Sequence, residues 1–110
     1  FRSAAQSAGK DARWTWVFNE RGLNGMAYQL LNDKQVFLAV RLFEEIALCY
    51  SDSPNAFDSL ADAYEVAGRH SEALRSAQQA ITLLPVSRLP DNFKEQIRQS
   101  AAQKIKRLTK

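Results

Sequence analysis

Residues 20–53 and 54–87 repeat one another without a gap. Taking Glu20 and Pro54 as first positions, Leu23 matches Phe57, Met26 matches Leu60, Ala27 matches Ala61, and Leu30 matches Tyr64. Ala39 then matches Ala73, Phe43 matches Ala77, and Ile46 matches Ala80. Every matched pair is apolar, and the pairs step by three or four, which sets them on one face of a helix. A period of this length means stacked helical units, each too small to bury its apolar face alone. The fold class that follows is all-α: two helical hairpins sharing one core.

Local signals divide each unit into two helices. Ser53 is placed to cap an N-terminus, with Pro54 in the first turn, where its missing N–H costs nothing. Gly68 supplies a left-handed turn that ends this helix, and the next stops before Pro85. The predicted helices run over about 54–67 and 71–84. In the first unit they run over about 20–32 and 35–49, with Lys34 at the turn instead of Gly. Ala27, Ala39, Ala61 and Ala73 are expected where paired helices cross, since a small side chain lets backbones approach.

Two repeats bury little, so both ends need cover. Pro90 starts a predicted helix with Asp91 in its first turn. Leu89, Phe93, Ile97, Ala101, Ile105 and Leu108 form an apolar stripe on it, and Lys94, Glu95, Arg98, Gln99, Gln103 and Lys106 a polar face. Lys104, Lys106, Arg107 and Lys110 read as a solvated basic helix end. Before the first unit, Trp14, Trp16 and Phe18 alternate with Thr15 and Val17 as a strand would, while Trp14, Phe18 and Arg21 also fit a helix turn. They are expected to be a docking anchor, since two exposed Trp and a Phe would be unusual.

The phrase Phe57-x-x-Leu60-Ala61-x-x-Tyr64, followed by Gly68, Ala73, Ala80 and Pro85, resembles the tetratricopeptide repeat. Ala77 stands where that family has a large aromatic, and the first unit lacks the Gly, Tyr and Pro. The resemblance covers Glu20 to about Pro85. It implies a right-handed superhelix: an N-terminal linker or aromatic anchor over 1–19, repeats over 20–53 and 54–87, and a capping helix over 88–110. It also implies that the first helix of each unit lines a concave groove for a protein or peptide. The groove residues would be Arg21, Asn24, Tyr28 and Leu31, then Asn55, Asp58, Asp62 and Glu65. The acidic second set would favour a segment carrying a basic residue; the alternative is a plain solvated face, offset by Arg88 or the capping helix. Asn55-Ala-Phe-Asp-Ser-Leu-Ala-Asp-Ala-Tyr-Glu-Val-Ala-Gly68 and Asn24-Gly-Met-Ala-Tyr-Gln-Leu-Leu31 further resemble phrases in the C-terminal tails of bacterial secreted or envelope serine hydrolases, esterase-like or β-lactamase-like. That resemblance implies an accessory domain packing on its own upstream catalytic domain or a second copy, in an extracytoplasmic compartment. The start at Phe1 fits a fragment or processed product.

Residue chemistry points away from catalysis within this chain. The one His, His70, falls in a turn, and the one Cys, Cys49, sits among Ile46, Ala47, Leu48 and Tyr50 as an expected packing thiol. No cluster has zinc-ligand spacing, no Gly-rich loop could cradle phosphate, and no cofactor or small-molecule substrate is implied. Ser7-Ala8-Gly9-Lys10 matches S-x-x-K but has no partner motif. The net charge of +3 is concentrated in residues 91–110, which hold six Lys or Arg against two Asp or Glu. Nucleic-acid or membrane contact through that helix is a third reading, weakened by the absence of an aromatic stacking platform.

Overall fold

The computed structural model describes residues 19–109, so Trp14, Trp16, Phe18 and the S-x-x-K motif lie outside the described residues. The described chain is all-helical. It runs α1 (Glu20–Asn32), α2 (Val36–Cys49), α3 (Pro54–Val66), α4 (His70–Leu83), a 3-10 turn (Leu84–Val86) and α5 (Asp91–Leu108). Among the described residues there is no strand.

The repeat predicted from apolar spacing is reproduced in backbone detail. α3 starts and ends 34 residues after α1, and α4 does the same relative to α2. Asn19 and Ser53, also one period apart, cap the first helix of each unit: Asn19 Oδ1 accepts from Gly22 N at 2.7 Å and Ser53 Oγ from Ala56 N at 3.2 Å. Ser53 Oγ also donates to Glu20 at 2.5 Å, tying the starts of α1 and α3 together.

The two hairpin turns close identically. Lys34 (φ 65°) and Gly68 (φ 78°) take the left-handed conformation. Their N–H groups donate to Leu31 and Glu65, and the next residues, Gln35 and Arg69, donate to Leu30 and Tyr64. This pattern satisfies the last carbonyls of α1 and α3. Glycine adopts it freely; Lys34 pays about 1 kcal/mol for its Cβ.

Each helix packs on the next, and α3 also touches α1 and α5. Ala27, Ala39, Ala61 and Ala73 are fully buried, as helix crossings require. One core cluster joins α1, α2 and α3 around Leu23, Phe43, Ile46 and Leu60; a second joins α3, α4 and α5 around Ala77, Ala80, Leu84, Ile97 and Ala101. Phe57 packs against both.

Three expectations need correction. Met26 is 49% exposed although its match Leu60 is buried, because α2 packs on that side of α3 and has no counterpart over α1 among the described residues. Phe93, expected in the capping stripe, is 43% exposed. Lys104, expected in a solvated tail, is 4% exposed. The last two have one cause, the register of α5 against α3.

Candidate functional site

α1, α3 and α5 present one face together, and the eight groove residues divide along it. Tyr28, Asp62 and Glu65 belong to its closed half. The Tyr28 hydroxyl donates to Asp62 Oδ2 at 2.7 Å, and its ring meets Phe43 edge-on at 4.9 Å between centroids. Lys104 Nζ lies 3.0 Å from the other Asp62 oxygen, so Asp62 links α1 to α5. Lys104 also donates to Asp58 Oδ1 at 2.7 Å, to the Asp58 carbonyl at 3.2 Å and to Ser100 Oγ at 2.9 Å. Further along, Arg107 holds Glu65 with two bonds of 2.7 Å. Leu31 is half-buried against the first core cluster.

Of the two readings of the acidic face, the offset one describes Asp58, Asp62 and Glu65, whose charges are met by Lys104 and Arg107 of α5 and not by Arg88. Tyr28 meets Asp62 at a separation of 34, one repeat, but Asp58 meets Ser100 and Glu65 meets Arg107 at a separation of 42. α5 has slid eight residues past the register a third repeat would take. The slide brings Lys104 and Arg107 over the acids. It also carries Phe93 beyond the start of α3, where no helix among the described residues meets it.

Burial pushes the Asp58 carboxyl above its usual range, and the bonds from Lys104 and Ser100 pull it only partly back. The Arg107 bonds hold Glu65 below its usual range. Burial, helped by Asp62, pushes the Tyr28 phenol far up.

The other half is open. Arg21, Asn24, Asn55 and Asp58 line a groove of about 750 Å³. Asn19, Glu20 and Ser53 lie at its end, where the N-termini of α1 and α3 add partial positive charge. Leu89, Pro90, Phe93, Gln96, Ile97 and Ser100 form the α5 wall. Asn24 Oδ1 is buried here without a hydrogen-bond partner.

The groove combines one apolar wall with an amide floor. Ser100 and Lys104 are adjacent, as in nucleophilic Ser–Lys pairs. Lys104, however, donates to two carboxylates and is an anchor in this geometry, not a base. No group of three metal-ligating side chains exists among the described residues. His70 is exposed at the start of α4 and Cys49 is half-buried at the end of α2. No described helix is long and apolar enough to cross a membrane.

Of the apolar stripe, Ile97 is buried in the second core cluster and Leu89 packs against it, while Phe93 stands exposed on the groove wall, because periodicity gives a face but not the register between helices. The chain matches no protein-family model, no curated protein and no solved structure.

Proposed function

We propose that this chain is a protein-interaction module of the tetratricopeptide-repeat type, whose groove holds an extended segment of another protein. The displacement of helices, caps and turns by one 34-residue period supports the repeat assignment. The observation that carries the function is the groove itself, lined by the amide side chains of Asn24 and Asn55 and walled by exposed Phe93. A bound segment would lay an apolar side chain against Leu89 and Phe93 and set its peptide groups beside the Asn24 and Asn55 side chains. The preference for a basic segment rested on free Asp58, Asp62 and Glu65. With those engaged by Lys104 and Arg107, apolar contact and peptide-group hydrogen bonding take its place.

Selection from a random peptide library tests this. Peptides recovered on the chain should lose about tenfold or more in affinity with Phe93→Ala, as burial of a half-exposed aromatic warrants, and also with Asn24→Ala. Recovered peptides that bind both variants as well as the parent would sink the reading.

A second reading, the accessory tail of a serine hydrolase, is favoured by exposed Met26, Phe37 and Leu38 on the first hairpin. An upstream hydrolase domain in the parent reading frame would support it. The basic-helix reading loses support, since Lys104 and Arg107 are engaged within the fold.

A further inference from the structure

The outer face of α2 departs from its repeat. Phe37, Arg41, Glu44 and Leu48 step along it by four, three and four residues, which sets them on one stripe of the helix. Phe37 and Leu48 are 74% and 61% exposed. Arg41 is exposed and Glu44 half-exposed. One period on, the same stripe of α4 carries Ser71, Arg75, Gln78 and Thr82, all exposed and all polar. The repeat therefore does not call for apolar side chains at the two ends of this stripe, and large exposed ones mark a contact surface.

The stripe is self-complementary. It reads apolar, cation, anion, apolar, with the same spacing from either end. Turned end for end about the point between Leu42 and Phe43, Phe37 falls on Leu48 and Arg41 on Glu44. A two-fold axis does this to two identical helices laid antiparallel. The groups are also prepared for it. The Tyr64 hydroxyl donates to Glu44 Oε2 at 2.6 Å and so orients the carboxylate. Arg69 stacks on the Tyr64 ring and pairs with Glu72, which leaves Arg41 as the cation of this face without an ion pair among the described residues. Beside Phe37 lies a hollow of about 230 Å³ lined by Val36, Val40, Arg41, Ala67 and Arg69, with room for one leucine side chain. We infer that the chain pairs with a second copy through α2 laid antiparallel on α2. Arg41 of each copy meets Glu44 of the other, and Leu48 of each enters the hollow beside Phe37 of the other. No α2 side chain lines the groove between α1, α3 and α5, so the pair carries two open grooves, and a target with two binding segments gains avidity from holding both.

Sedimentation of the full chain at rising concentration reads the pairing. A monomer–dimer equilibrium is expected, and a chain that stays monomeric up to about 1 mM overturns the inference. Leu48→Asp and Arg41→Glu should each weaken the dimer about tenfold or more. A dimer indifferent to both is built on another surface and also overturns it. The charge order makes a further demand that simple stickiness does not. Arg41→Glu and Glu44→Lys proteins, each impaired alone, should form a mixed dimer when combined, because each then supplies the charge the other lacks. Two folded variants that fail to combine defeat the antiparallel pairing. Glu44→Lys removes the acceptor of the Tyr64 hydroxyl, so circular dichroism checks its fold. Glu44→Gln keeps that acceptor and should weaken the dimer by itself; an unweakened Glu44→Gln dimer defeats the proposal as well.

Discussion

The two halves of α3 face the same neighbours and end in opposite states. Its first turn, with Asn55, lines an open groove; its last turns, with Asp62 and Glu65, are paired with Lys104 and Arg107 of α5, and Asp58 stands at the boundary, on the groove and bonded to Lys104. Both halves are polar, so composition does not separate them. The difference is the eight-residue slide of α5, which delivers Lys104 and Arg107 to one half and leaves the other facing Phe93 across a gap. A run of like charges on a helix face is therefore not a site until the neighbouring helix has been placed. Here most of it serves to fix a cap.

Breaking the sealed half should have the largest effect. Lys104→Ala leaves Asp58 and Asp62 facing each other with no cation, and should cost about 3–5 kcal/mol in urea unfolding. A loss under about 1 kcal/mol would show that the pair is dispensable. Turn chemistry should come next. Gly68→Ala forces a Cβ into the left-handed turn and should cost about 1–2 kcal/mol, while Lys34→Gly relieves the same strain and should be neutral or stabilising. Tyr28→Phe removes the bond to Asp62 and should cost about 1 kcal/mol. Phe93→Ala, in the open half, should change stability by less than about 1 kcal/mol while weakening peptide binding. A larger stability loss would mean that this residue belongs to the cap.

The smallest effect is the pH response, and it separates the two carboxyls by sign. Glu65 has a lowered folded-state value, so its contribution is present above 4.5 and disappears as pH falls through that lowered value. Asp58 is raised, so its contribution is fully present below 3.8 and lost as pH rises through the folded-state value. Glu65→Gln should flatten the acid slope of stability, and Asp58→Asn should steepen it. Unfolding curves between pH 3 and 7 read both, and about 1 M salt should erase most of the exposed Glu65–Arg107 part.

Individual residues show how far the sequence could be read. Ser53, Pro54, Gly68 and even Lys34 marked their caps and turns correctly, because each acts through its own backbone and nearest neighbours. The four crossing alanines were legible because a helix period assigns faces. Arg21, Asn24, Asn55 and Asp58 line an open groove, Ile97 and Leu89 pack in the second core as their spacing predicts, Phe93 does not, and Asp62 and Glu65 are paired within the fold.

By itself, then, the sequence determined the all-helical class, the repeat, the helix ends and the faces that turn inward. Those are local and periodic properties, set by backbone sterics, capping and the 3.6-residue turn. Only the tertiary structure decided which acid meets which base and where the groove stays open. Sliding one helix along another by two turns keeps its apolar stripe inward, yet it changes every polar partner the helix meets.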